Sequence, residues 1–171
     1  MVRRGNLIGV FLLILAPSSA LAVPLSVSVG VGAAAPEVAD PVGYMTSLSV
    51  LARFDDSFGG YASVWRMGFP AKGTDVGVEY DYSTALVAGV EYRLSVGGTV
   101  PYLRAGGGIV GAPGSPSVSA PMVEFGLGSR WRLNESWDMG AELGRYAPMD
   151  ELGGIGGGSM LQLHFAYRFE I

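Results

Sequence analysis

The residues that could do chemistry are a set of charged side chains and a single histidine, distributed through the chain after residue 50. Most of them lie at alternate positions among small or apolar residues, so they would share one face of extended strands. Arginines that face carboxylates could line an ion path, or they could pair and fill a closed interior. The set comprises Arg53, Arg66, Glu91, Arg93, Arg104, Glu124, Arg130, Arg132, Asp138, Glu142, His164 and Arg168.

The sequence offers little to a metal ion or a nucleotide. There is no cysteine, which excludes disulfides and thiolate metal sites. The glycine run at 106–111 matches a dinucleotide fingerprint, but Pro113 and Pro116 follow where that motif needs a helix. The acidic residues between the alternating segments lack the fixed spacing of a calcium loop. We therefore predict no cofactor and no metal site.

The elements that must position the charged residues are clearest at the end of the sequence. Leu161, Leu163 and Phe165 alternate with Gln162 and His164, and the same period of two continues to residue 171. Seven earlier segments alternate in the same way, and each is close to the roughly 9 to 11 residues of a tilted membrane strand. The pattern predicts eight strands.

Composition indicates what kind of protein these strands form. The chain is 49% hydrophobic and 15% charged, whereas a soluble surface has roughly 25 to 35% charged residues. No segment after residue 22 is long and apolar enough for a transmembrane helix, so a closed barrel is the remaining structure that satisfies its backbone in lipid. The fold class we predict is an all-β, eight-stranded antiparallel transmembrane β-barrel.

The residue types on the two faces of each strand predict which face meets lipid. An arginine facing lipid at the bilayer centre costs about 2 to 4 kcal/mol, and a barrel this narrow has room inside only for side chains. We therefore place the charged face, including Arg66, in the lumen and the apolar face in lipid. In the third segment this rule assigns Tyr61, Ser63, Trp65, Met67 and Phe69 to lipid. The aromatic residues expected to form an interfacial girdle are Phe54, Tyr61, Tyr92, Trp131, Trp137, Tyr167 and Phe169.

The first segment has the features of an export signal. Arg3 and Arg4 precede an apolar run at 7–16, and Ala20-Leu21-Ala22 has the form of a signal-peptidase site. A run of this length is too short for a spanning helix, which needs about 20 residues. We predict a cleaved signal peptide at 1–22 and one barrel domain at 23–171. Removing the two arginines changes the net charge from −4 to −6, which makes nucleic acid an improbable partner.

The connections alternate in length. The segments 55–59, 95–98 and 134–135 are short, whereas 34–43, 70–84, 111–120 and 148–158 are long. Short periplasmic turns and longer external loops are typical of outer-membrane barrels. Residues 76–82 alternate as well, and we interpret them as part of the fourth strand extending beyond the membrane.

The run from Leu161 to Phe169 resembles the closing strand of the small OmpA-like and OmpX-like barrels, which ends on Tyr-Arg-Phe. Here Glu170 and Ile171 follow that Phe. The resemblance implies export to the periplasm, recognition of the C-terminal strand by the barrel-assembly machinery, and residence in a Gram-negative outer membrane beside lipid and lipopolysaccharide.

Three functions are compatible with such a barrel. The one we favour is a non-enzymatic, structural or adhesin-like role in which external loops contact cell-surface ligands, as in the OmpX-like family. The second is a conduit for small hydrophobic molecules of the OmpW-like kind, which the lumenal charge disfavours. The third is a lipid A-modifying enzyme; the deacylases would require His-x-Ser, whereas this chain reads His164-Phe165-Ala166.

Overall fold

The computed structural model describes residues 23–37, 42–70, 80–94, 98–112, 115–149 and 157–170. Each strand pairs antiparallel with its neighbours in sequence, and the first pairs with the last, which closes the barrel. The predicted eight-stranded antiparallel barrel is confirmed. The strands are β1 (Pro24–Pro36), β2 (Gly43–Arg53), β3 (Phe58–Pro70), β4 (Tyr80–Arg93), β5 (Thr99–Ala112), β6 (Ser115–Arg132), β7 (Trp137–Pro148) and β8 (Gly158–Glu170).

Closure depends on the last strand. β8 pairs with β1 along its whole length, from Pro24 opposite Glu170 to Pro36 opposite Gly158, so neither strand presents a free sheet edge. Glu170 is therefore part of the closing strand. Within the described residues, no helix is long and apolar enough to cross a membrane.

Two of the short connections are built alike. The Asp55 carboxylate accepts hydrogen bonds from the backbone N–H groups of Ser57 and Phe58, both at 2.6 Å. The Asn134 side-chain oxygen accepts the equivalent bonds from Ser136 and Trp137, both at 2.9 Å. Asp and Asn favour such turns because their side chains bond the backbone two and three residues on.

The opposite end of the barrel differs in part from the prediction. The expected long connection at 111–120 is mostly strand, because β5 continues to Ala112 and β6 begins at Ser115, with a register shift next to Gly111. Tyr80 to Tyr82 belong to β4, as predicted. The signal segment 1–22, residues 76–79 of the expected extension, most of the connection at 148–158 and Ile171 lie outside the described residues.

The apolar faces of most strands point outward as the alternation predicts, but β3 is inverted. Tyr61, Trp65 and Met67 are buried in the interior, whereas Val64 and Arg66 are exposed on the outer wall. The prediction for this strand was wrong, and Arg66 is not lumenal. Its guanidinium carbon lies 4.4 Å from the ring centroid of Tyr82 on the neighbouring strand, a cation–π contact.

An aromatic girdle surrounds the end with the short turns. Tyr61 is absent from it because that side chain points inward, and Phe58 takes part instead, with its ring centroid 4.9 Å from that of Tyr92. Trp137 and Tyr167 contact each other in an edge-to-face arrangement. The outward-facing aromatic residues at this end are Phe54, Phe58, Tyr92, Trp131, Trp137, Tyr167 and Phe169.

Candidate functional site in the barrel interior

Arg104 lies at the centre of a buried group of charges in the middle of the barrel. Its Nε is 3.2 Å from one oxygen of Glu124, and one of its terminal nitrogens is 2.7 Å from an oxygen of Glu142. The hydroxyl of Tyr61 donates to Glu124, and that of Tyr102 donates to Glu142 at 2.8 Å. Both carboxylates are at most 1% exposed, so these partners replace the water that the charges would otherwise bind.

A second ion pair lies beside the first. The two terminal nitrogens of Arg130 donate to the two oxygens of Glu91 at 2.5 and 2.6 Å, the fork geometry of a strong arginine–carboxylate pair. The Arg130 guanidinium also lies 4.3 Å from the ring centroid of Tyr102. We name this part of the interior the charged layer; it comprises Glu91, Arg104, Glu124, Arg130 and Glu142, with Tyr61, Tyr102, Gln162 and His164.

The remaining predicted charges lie toward the short turns. Asp138 is 3.0 Å from the Nε of Arg168 and 3.8 Å from a terminal nitrogen of Arg53. Arg93 donates to the backbone oxygens of residues 55 and 58, at 2.8 and 3.0 Å. Arg132 is exposed at the end of β6. Arg53 and Arg168 thus share the Asp138 carboxylate at this end of the barrel.

The interior toward the long connections is apolar. Four methionines, Met45, Met67, Met122 and Met160, are each 1% exposed and pack in one cluster with Trp65. The indole N–H of Trp65 donates to the Ser63 hydroxyl at 2.8 Å. We name this part the apolar plug; it comprises Ala34, Met45, Trp65, Met67, Ala85, Val87, Val110, Ala120, Met122, Tyr146 and Met160.

His164 borders a small cavity in the charged layer. The cavity is about 20 Å³ and has serine side chains from β1 and β2 on its wall, including Ser28 and Ser47. This is space for about one water molecule. The Nε2 of His164 is buried, and no described side chain or backbone group hydrogen-bonds to it. A cavity of this size is far smaller than a continuous conduit through the barrel would need.

Three uncharged members of the charged layer were not among the predicted site residues. Tyr102 and Gln162 lie on the predicted inward faces of their strands, so their position could have been read from the alternation. Tyr61 could not, because the inverted assignment of β3 placed it in lipid.

Comparison with known proteins supports the fold. No protein-family description matches the sequence, and no curated protein matches it. Among solved structures, Neisserial surface protein A is similar with a TM-score of 0.66 at 12% identity, covering 86% of this chain and 97% of its own. The Ail protein of Yersinia pestis, in complex with the heparin analogue sucrose octasulfate, is similar with a TM-score of 0.59 at 17% identity, covering 87% and 100%.

A third similar structure is that of the outer membrane enzyme PagL, with a TM-score of 0.54 at 17% identity, covering 82% of this chain and 97% of its own. At these identities the similarity concerns the fold alone, and one fold can carry different functions. The chain has the fold of the small eight-stranded outer-membrane β-barrels.

Proposed function

We propose that this chain is a bacterial outer-membrane protein, exported with a cleaved signal peptide, that acts through its outer surface and external loops and not through its lumen or by catalysis. Most charged side chains of the described strands lie inside, and many large apolar side chains lie outside. Phe125, Leu127 and Leu161 are each more than half exposed. A soluble monomer rarely exposes a continuous apolar surface of this kind, whereas a lipid bilayer stabilises it.

The observation that carries the functional part of the proposal is the filled interior. A conduit needs a continuous cavity, but the apolar plug lies above the charged layer, and the cavity beside His164 has room for only about one water molecule. Displacing the plug would also separate packed methionine and tryptophan side chains. This arrangement favours a structural barrel over a channel.

The position of His164 favours a non-enzymatic role. An imidazole that acts as a general base needs a nucleophile or a substrate within hydrogen-bond reach. The His164 side chain is 5% exposed inside the barrel, and its Nε2 meets no serine hydroxyl at hydrogen-bond distance among the described residues. We infer that His164 is a structural member of the charged layer.

The similar structures are consistent with a surface role. Ail was solved with a heparin analogue, so this fold is used by at least one protein that binds a polyanionic sugar derivative. We propose that the connections at the outer end of this barrel contact cell-surface ligands, and that the barrel-assembly machinery recognises the closing strand β8.

Two variants test this proposal on whole cells. Replacing residues 150–156 with a short Gly-Ser linker should leave the barrel folded, because loop closure depends only weakly on length. It should reduce binding of cells to matrix proteins or lipopolysaccharide, whereas His164→Asn should leave that binding unchanged. Heat-dependent mobility on a denaturing gel checks that both variants are folded.

Two results would overturn the proposal. The first is steady ion conductance by the purified barrel in a planar bilayer. The second is a change in lipid A acylation that depends on His164.

A further inference from the structure

A long recess of about 790 Å³ lies on the outer wall of the barrel, not in its lumen. It crosses β4 to β8, and its wall consists mainly of outward-facing apolar side chains such as Val90, Leu103, Val123 and Leu143. Ala105 is the small residue on the β5 part of this wall. We name this recess the wall groove.

One end of the wall groove is polar. Arg145 and Glu37 line it there, together with Ser159. The two charged side chains form an ion pair, yet they are 69% and 49% exposed. A backbone hydrogen bond of 2.7 Å from the N–H of Glu37 to the oxygen of Gly157 holds the carboxylate on this side of the barrel.

The height of Arg145 relates this end to the membrane. Eight positions along β7 separate Arg145 from Trp137 in the aromatic girdle. At a rise of about 3.4 Å per residue and a tilt of roughly 35–45°, that is about 20 Å along the barrel axis. The apolar band of such barrels is about 25 Å tall. Arg145 therefore lies near the outer edge of the band, on the side of the long connections.

Arg66 provides an internal comparison. It also faces outward, and eight positions along β3 separate it from Phe58 in the girdle. Its guanidinium lies over the ring of Tyr82, and it does not line the wall groove. Two outward arginines thus lie at about the same height, and of these two only Arg145 adjoins the wall groove.

We propose that the wall groove binds one molecule of lipid A, with an acyl chain along the apolar wall and a phosphate on Arg145. The inference rests on the proposed outer-membrane placement, which puts this end of the barrel in the outer leaflet. Lipid A carries its phosphates on an acylated sugar, so a phosphate and an acyl chain lie close together. A guanidinium suits phosphate because it can donate two parallel hydrogen bonds.

Glu37 allows the proposal to predict whether a substitution strengthens or weakens lipid A binding. In the free barrel the Glu37 carboxylate is paired with the Arg145 guanidinium, which is the group that would bind the phosphate. Binding therefore replaces the Glu37 partner with a phosphate at the same cation. Removing the Glu37 charge should strengthen lipid A binding, and removing the Arg145 charge should weaken it.

The experiment places the full barrel in phosphatidylcholine nanodiscs, adds lipid A at low mole fraction, and measures the retained lipid A per barrel by mass spectrometry. Arg145→Gln should lower the affinity by about tenfold, whereas the matched Arg66→Gln should change it by less than about twofold. Glu37→Gln should raise it. Ala105→Trp fills the groove without changing any charge and should also lower it by about tenfold.

Several outcomes would overturn this site. They are equal losses from Arg145→Gln and Arg66→Gln, undiminished binding of dephosphorylated lipid A, equal retention of phosphatidylglycerol, or cross-links between two barrels across the wall groove. Heat-dependent mobility shows whether each variant is folded. A wild-type barrel that fails to enter nanodiscs would contradict the proposed membrane placement instead, so the two failures are distinguishable.

Discussion

The charged layer around Arg104 and the apolar plug around Trp65 fill adjoining parts of one barrel interior with opposite chemistry. In the charged layer each ion depends on particular partners, because a buried charge without them is costly. In the apolar plug the requirement is volume, and flexible methionines can meet it in several arrangements. The first layer should therefore be sensitive to single changes of partner, and the second to changes of size.

The largest expected effect comes from breaking one ion pair in the charged layer. Glu91→Gln keeps the shape of the side chain but leaves the largely buried Arg130 guanidinium without its anionic partner. We expect a loss of about 3 to 5 kcal/mol in the free energy of unfolding, measured by reversible urea unfolding in lipid vesicles. The double variant Glu91→Leu with Arg130→Met should lose much less. If the losses from Glu91→Leu alone and Arg130→Met alone added up to the loss from the double variant, the two charges would be independently hydrated.

The apolar plug should respond to volume. Met122→Ala leaves a cavity and should cost about 2 to 5 kcal/mol, whereas Met122→Leu keeps the volume and should cost less than about 1.5 kcal/mol. The same urea titration measures both variants. Equal costs for alanine and leucine would mean that the thioether itself, and not its size, is what the plug requires.

Tyr61 joins the two regions, since its ring packs in the apolar cluster while its hydroxyl donates to Glu124. Tyr61→Phe retains the ring and removes only the hydrogen bond to the carboxylate. We expect a loss of about 1.5 to 3 kcal/mol, the usual range for a bond to a charged group. A negligible loss would indicate that Arg104 alone satisfies Glu124. Tyr61 would then belong to the apolar plug only.

The same contrast explains how far the sequence predicts the structure. For β4 to β8 the inward face carries charges and glycines besides its share of the apolar plug, so the rule that the apolar face meets lipid still identifies both faces correctly. For β3 the inward face supplies Trp65 and Met67 to the apolar plug, and that rule inverts the strand. Alternation predicts the strands themselves, but it cannot assign their faces where the interior is apolar too.

Arg66 supported the wrong assignment of the two faces of β3. One arginine on the opposite face implied a large penalty in lipid, yet its position is near the outer edge of the apolar band, where that penalty falls and a long side chain can reach the headgroups. The pairing within the charged layer was also not predictable. Arg104 and Glu142 come from strands that are not adjacent, and their contact follows from the curvature of the closed barrel.

The smallest expected effect concerns a carboxylate outside both regions. Asp55, in the turn between β2 and β3, accepts hydrogen bonds from the backbone N–H groups of Phe58 and Ser57, and these bonds lower the pKa of its carboxyl below the ordinary value. Because the folded pKa is depressed, its stabilising contribution is present above the unfolded pKa of about 3.9 and is lost as the pH falls through the folded value.

Asp55→Asn is the matched test of that contribution, because Asn134 makes the same two bonds in the turn between β6 and β7 without a titratable group. Above about pH 5 the wild-type protein should be slightly the more stable of the two, since the ionised acceptor makes the stronger bonds. The difference in urea midpoint should shrink as the pH falls below about 4. Carbon NMR of the Asp55 carboxyl should give a midpoint below that of an unstructured aspartate. A normal midpoint, or a difference in stability that does not change with pH, would show that this turn is held by its backbone geometry and not by the charge of Asp55.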